Sequence, residues 1–151
     1  MAKLFELRYF RASDLDRVME IETACFGRDA YDRNLFAEFH RKCGDLFLVA
    51  LEGGYGICGY GVTCQRGRSD AAEIVSLAVA PEWQGKGVAS VLLASTLRRL
   101  RRRQVRRVSL MVRVDNRAAI ALYSKAGFRR VRLVRKYYER GQDGVLMARA
   151  V

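Results

Sequence analysis

Residues 75–93 read Val-Ser-Leu-Ala-Val-Ala-Pro-Glu-Trp-Gln-Gly-Lys-Gly-Val-Ala-Ser-Val-Leu-Leu. An apolar run over residues 74–80 stops at Pro81, a short turn carries Gly85 and Gly87, and an amphipathic run follows. That order predicts a strand, a glycine turn and a helix start. The first amides of a helix lack internal acceptors and sit at the positive end of its dipole. Glycines let a polyanion reach such amides without meeting a Cβ. The residues Gln84, Gly85, Lys86, Gly87, Val88, Ala89 and Ser90 therefore suit a phosphate-bearing ligand. Their spacing, Gln84-x-x-Gly87-x-Ala89, is not the Walker pattern. Nor is it G-x-G-x-x-G, since position 90 is serine.

Around this turn the chain must supply a sheet and helices to hold it. Residues 3–10 alternate as a first strand, and Ser13 is placed to cap a helix that carries Leu15, Val18, Met19 and Glu22 and ends near Cys25-Phe26-Gly27. A loop over 27–31 leads to Asp32, which caps a short helix with Leu35, Phe36 and Phe39. Strands follow at 46–51 and 57–65, joined by a glycine hairpin turn at 52–56. Residues 73–80 form a fourth strand, apolar on both faces and hence central. The helix from Gly87 ends in Arg98, Arg99, Arg101, Arg102 and Arg103, and cations favour a helix C-terminus. A fifth strand spans 107–114, a helix capped by Asp115 or Asn116 runs over 117–126 and closes at Gly127, and two strands cover 128–135 and 145–149. No linker or repeat interrupts the order β-α-α-β-β-β-α-β-α-β-β, so one domain over residues 1–151 is expected.

At 151 residues the chain is long enough to bury about 70% of its unfolded surface. No apolar run approaches the roughly 20 residues of a membrane span, and the N-terminus lacks the pattern of a signal peptide. A cytoplasmic protein is expected. Cys25, Cys43, Cys58 and Cys64 form no close pair and there is one histidine, His40, so free thiols rather than a metal site are expected. The net charge of +12 exceeds what one phosphorylated ligand needs. It fits an RNA or ribosome partner, or an arginine-rich composition with solvated faces.

The loop resembles the acyl-CoA pyrophosphate loop (Q/R-x-x-G-x-G/A) of the GNAT N-acetyltransferase superfamily. Residues 108–128, with Asn116-x-x-Ala119-x-x-Leu122-Tyr123 and Gly127-Phe128, are similar to the RimI-type and related N-terminal protein acetyltransferases. So is Lys136-Tyr137-Tyr138 with Asp143 and Met147 downstream. The resemblance implies an α/β (α+β) fold. Its mixed, mostly antiparallel seven-stranded sheet would splay between strands 4 and 5 and be flanked by about four helices.

It further implies acetyl-CoA as acyl donor, with no metal. Pantetheine would lie along Leu77, Ala78 and Val79, the pyrophosphate on the amides of residues 85–90, Asn116 beside the pantetheine and Tyr123 near the sulfur. Asn116 also suits a helix cap. Tyr123 is either a general acid or a core aromatic beside Phe128. RimI-type enzymes carry a glutamate base on the fifth strand where this chain has Met111, a thioether that takes no proton. Glu73 matches the position where histone-type members place their base, and it reads equally as an edge residue paired with an arginine. An apolar setting would raise its pKa.

Phe26, Tyr31, Tyr137 and Tyr138 would read the acceptor. Where RimI-type enzymes have a Pro-Trp pair, this chain has Arg28-Asp29-Ala30-Tyr31. The expected acceptor is a protein N-terminal α-amine, with a small-molecule amine as alternative. A CoA-bound or RNA-associated regulator without turnover is the third reading, and a monomer or a homodimer is expected.

Overall fold

The computed structural model describes residues 5–54 and 56–151. Seven strands, β1 (Glu6–Tyr9), β2 (Phe47–Glu52), β3 (Gly56–Gln65), β4 (Ala71–Val79), β5 (Arg107–Arg113), β6 (Arg129–Val134) and β7 (Gly144–Ala150), form one sheet in the order β1-β2-β3-β4-β5-β7-β6. All neighbours pair antiparallel except β4 and β5. The fourth strand is thus the middle one, as its two-faced apolar pattern predicts. Four α-helices complete the fold: α1 (Leu15–Phe26), α2 (Arg33–Cys43), α3 (Val88–Arg102) and α4 (Arg117–Lys125).

Side-chain alternation along β2 sorts the helices between the faces of the sheet. Phe47 and Val49 pack with Val18 and Ile21 of α1 and Phe36 of α2. Leu48 and Ala50 point the other way, onto Val88 and Leu92 of α3. Leu93, Leu97 and Leu100 of α3 share a third cluster with Ile120 and Tyr123 of α4 and with β5 and β7. The first turn of α3 lies so close to the sheet that a Cβ at Gly59 would meet Val88 Cγ1 at 2.9 Å and Ala78 O at 3.1 Å. Glycine there lets the helix start press against β3 and β4, which fixes where its free amides lie.

Three sequence-based expectations need amendment. Ser13 caps nothing: residues Ala12–Asp14 form a 3-10 turn ahead of α1. Asp14 does the fastening, accepting the Arg11 N–H at 2.8 Å and a two-pronged bond from Arg8 at 2.7 and 2.9 Å. β4 begins at Ala71, two residues early, because it pairs there with Arg107 of β5. The thiols are not all free. Cys43, the last residue of α2, is bridged to Cys64 near the end of β3, with Cα atoms 4.9 Å apart, while Cys25 and Cys58 keep their thiols, which donate to Val79 O and Ala50 O. At a sequence separation of 21 the two cysteines meet only through tertiary packing, which spacing does not report. Finally, Lys3 and Leu4 of the expected first strand and Tyr55 of the hairpin turn lie outside the described residues.

Candidate active site

The parallel pairing of β4 with β5 runs from Ala71↔Arg107 to Ile74↔Leu110 and stops. Beyond it the two strands diverge around a cleft of about 450 Å³. Successive backbone groups of a strand point to opposite sides. Ala80 N–H bonds to Cys58 O of β3 at 2.8 Å, so the neighbouring backbone of Val79, and of Leu77 two residues before it, faces away from β3, into the gap. Ala78, between them, is buried.

One end of the gap is the glycine turn. Gly85 and Gly87 take φ of +78° and +89°, a left-handed backbone that other L-residues adopt at a cost. Gly87 stands at the N-cap of α3 without a side-chain cap, and the first amide with a backbone acceptor is Val91, bonded to Gly87 O at 3.1 Å. Among the described residues the amides of Gly85, Lys86, Gly87, Val88, Ala89 and Ser90 have no protein acceptor. Gln84 folds back instead, its side-chain amide donating to Val79 O at 3.0 Å and fastening the turn to the strand end. A shallow groove of about 330 Å³ continues from Ser90 between α3 and α4, with Lys125 and Arg149 on its border.

Midway along the cleft wall stands α4. Asn116 caps the helix, its side-chain oxygen accepting the Ala119 N–H at 3.1 Å, which leaves the Nδ2 amide for a ligand. Tyr123, two turns on, lines the cleft and is buried, edge-on to Phe128 at 5.6 Å. Burial, with Tyr138 nearby, pushes its phenol well above the usual value of 10.

The other end is aromatic and acidic. Phe26, Tyr31, Tyr137 and Tyr138 all line it, and the two tyrosine rings of the 137–138 pair meet edge-on at 4.9 Å. The Tyr137–Tyr138 turn is tight: Tyr138 N–H bonds to Gln142 O, Gly141 N–H to Tyr138 O, and Asp143 accepts from Lys136 N–H at 3.0 Å. Burial raises the Tyr31 phenol to about 12, with the Tyr137 phenol and the Glu73 and Glu22 charges adding to it, and raises Tyr137 with help from Glu73. Glu73 lines the cleft with its side chain 41% exposed, 3.8 Å from Arg66 Nη2. Met111 lies in the wall against Gly144.

Two carboxylates here escape a reading of motifs. Glu22 is 1% exposed and accepts three donors: Tyr60 O–H, Ser76 O–H at 2.8 Å and the Tyr31 backbone N–H at 2.9 Å. It ties the loop after α1 to the middle of the sheet. The signal was a carboxylate at helical spacing with Leu15, Val18 and Met19. Asp29 lines the cleft too, 3.3 Å from Arg113 at the end of β5, and Arg113 also forks onto Asp115 at 3.0 and 3.2 Å. No group of three or more metal-ligating side chains is found among the described residues.

Residues 15–128 match the model of the acetyltransferase (GNAT) family. The chain is 31% identical to an N-alpha-acetyltransferase of Saccharolobus solfataricus, over 96% of this chain and 92% of the relative. It is 34% identical to the N-alpha-acetyltransferase RimI of Mycobacterium tuberculosis, over 91% of this chain and 87% of the relative. The crystal structure of Ard1 from Thermoplasma volcanium superposes with a TM-score of 0.92 at 28% identity, covering 100% of this chain and 99% of that one. A splayed sheet with unpaired amides at one end of the gap, and relatives matched over nearly their full length, make the chain a RimI-like N-acetyltransferase of the GNAT family.

Proposed function

We propose that the protein, acting as one domain over residues 1–151, transfers the acetyl group of acetyl-CoA to a protein N-terminal α-amine by direct attack in a ternary complex. The observation that carries this reading is the gap between β4 and β5, with free amides where β4 leads into α3 and with carboxylates and phenols lining the cleft between the strands. The amides of residues 85–90 and Lys86 hold the pyrophosphate. The outward backbone of Leu77 and Val79, on either side of the buried Ala78, and the Asn116 amide line the pantetheine. The groove between α3 and α4 seats the adenosine end, with the Lys125 cation toward its phosphate.

From the other end the amine nitrogen attacks the acetyl carbonyl carbon. The carbon–sulfur bond breaks, the amine proton passes to Glu73 directly or through water, and the sulfur takes a proton from Tyr123. A phenol above 10 gives its proton to a thiolate of pKa about 8.5 only uphill. The Tyr123 O–H therefore stabilises the developing sulfur charge by hydrogen bonding before the proton moves. Phe26, Tyr31, Tyr137 and Tyr138 clamp the acceptor. An α-amine of pKa 7.7–8.0 is roughly 10–15% neutral at pH 7, whereas a lysine at about 10.4 is below 0.1% neutral. A half-exposed carboxylate suffices for the first, and the N-alpha-acetyltransferase names of the relatives point the same way.

The test is CoA release across N-terminal peptides and free amines. Turnover of peptides with free α-amines and none on α-blocked, lysine-bearing peptides supports the reading. Activity on free amines alone selects a small-molecule acceptor, for which the Asp29 carboxylate in the cleft wall is the ready partner. Such a result would leave the donor side intact.

A further inference from the structure

The charge of this chain is divided along its length. Residues 1–97 hold 11 Lys and Arg against 13 Asp and Glu, whereas residues 98–151 hold 17 against 3. The whole excess therefore belongs to the last third, and an acyl-CoA bound at the opposite end of α3 does not account for it. The topology gathers it in one place. α3 runs back from the cleft, so Arg101 and Arg102 in its last turn lie at the pole of the sheet away from the cleft. β5 starts at that pole with Arg106 and Arg107 beside it, and the registers Arg107↔Ala150 and Arg129↔Ala148 bring the start of β6 to the same level.

β6 is an edge strand, and every residue of it but Val134 is exposed, Arg129, Arg130 and Arg132 included. Among the described residues no carboxylate lies within 4.0 Å of Arg101, Arg102, Arg106, Arg107, Arg129, Arg130 or Arg132. Nearby arginines are otherwise engaged: Arg103 pairs with Asp45, Arg99 lies over the Tyr9 ring at 4.9 Å, and Arg149 bonds to Ala126 O.

Seven exposed, uncompensated guanidinium groups on one pole and the adjoining sheet edge repel one another. A polyanion relieves that repulsion, releasing its own counterions as it binds. We propose that this pole binds the phosphate backbone of a polynucleotide, independently of acetyl transfer. Arginine forks match phosphate oxygens in pairs, and the exposed ring beside the patch, Tyr9, is already covered by Arg99. Recognition is therefore of backbone and not of sequence. The surface faces away from the cleft mouth, so polynucleotide and acceptor are held at the same time.

The test is fluorescence anisotropy with labelled RNA and DNA hairpins of one sequence and with polyglutamate, across a salt series. Seven phosphate contacts predict a slope of log K against log[salt] of about −5 to −6 for the hairpins. The exposed-site variant Arg101→Glu/Arg129→Glu/Arg132→Glu loses at least about 30-fold in hairpin affinity near 50 mM salt. Arg33→Glu/Arg41→Glu, on α2 across the sheet, loses no more than a few-fold, and all keep wild-type CoA release on a peptide. The milder set Arg101→Gln/Arg129→Gln/Arg132→Gln repeats the measurement should the charge reversals impair folding. A tighter RNA hairpin names RNA as the source of the phosphates, a tighter DNA hairpin names DNA, and equal binding leaves the backbone as the whole determinant. Undiminished binding by both triple variants overturns the proposal. So does polyglutamate bound as tightly as the hairpins with the same slope, which would make the partner an acidic polypeptide.

Discussion

The two ends of the cleft are built by opposite means. At the α3 end the binding groups are main chain: amides left over by a helix start, aimed by two glycines and by the close seat of Val88 on Gly59. At the α1–α2 end they are side chains, phenols and carboxylates delivered by four separate segments and held by long-range bonds such as Glu22 to the Tyr31 amide and Arg113 to Asp29. A backbone cradle is indifferent to most substitutions and selects for one chemistry, a polyanion. A side-chain cage changes with every substitution and sets which amine enters. Under the proposed function the donor falls to the first end and the acceptor to the second, and the difference explains why one loop is easy to recognise and the other is not.

The comparison breaks most visibly where the ends meet. Tyr123→Phe is expected to lower kcat by about 100-fold or more while the acetyl-CoA dissociation constant stays within about twofold, since the ring remains and only the proton and hydrogen bond go. Steady-state kinetics with direct binding measures both. Equal loss in kcat and in binding would make Tyr123 a wall of the pocket. Gly87→Val attacks the donor end alone. A β-branched residue at φ +89° costs about 1–2 kcal/mol locally, and its Cβ stands where a phosphate must approach. The KM for acetyl-CoA should rise about 30-fold at a nearly constant peptide KM.

On the acceptor side the Cys43–Cys64 bridge staples the end of α2 to β3, whose Cys64 is paired with Glu73. For a 21-residue separation the chain-entropy argument gives roughly 3 kcal/mol. Cys43→Ala should lower stability by about 2–4 kcal/mol in urea titrations and raise the peptide KM by a few-fold, leaving acetyl-CoA untouched. A larger effect on acetyl-CoA than on peptide would mean that the two ends are not separable. The pH profile sharpens the same contrast. With Tyr31 at about 12 and Tyr123 pushed above its usual value by burial, no phenol in the cleft loses its proton below pH 10. The rate should climb from pH 6 to about 9 as the α-amine deprotonates, then stay level to pH 10. A fall between pH 9 and 10 would reveal a proton donor other than these phenols.

What the sequence disclosed follows this division. The glycine turn, the cap at Asn116 and the order of elements along the chain are local or periodic, so Gln84-x-x-Gly87-x-Ala89 and the two-faced apolar run of β4 were enough. Glu22, Asp29 and the Cys43–Cys64 bridge depend on contacts across 20 to more than 80 residues, such as the 54 between Glu22 and Ser76 or the 84 between Asp29 and Arg113. Ser13 misled because a 3-10 turn shifted the start of α1 to Leu15 and gave the capping work to Asp14. Gln84 was legible as part of the turn, though its bond to Val79 O was not.

The last expected effect bears on Glu73, a carboxylate of the acceptor end whose side chain is half in water. Its side chain faces Arg66 at 3.8 Å, and its charge is felt by Tyr31 and Tyr137, so it borders the path of the attacking amine without being buried by it. If Glu73 takes the amine proton, Glu73→Gln removes a general base whose help is greatest while the amine arrives charged. At pH 7, where roughly 85–90% of α-amines are protonated, the loss in kcat/KM should be about tenfold. By pH 9 most of the amine is neutral before it binds, and the loss should shrink to about twofold. A deficit that stays tenfold at both pH values would mean that Glu73 orients the tyrosines instead of accepting the proton. No deficit at either pH would hand the proton to water, and the acceptor end would then select its amine by shape and charge while leaving deprotonation to solvent.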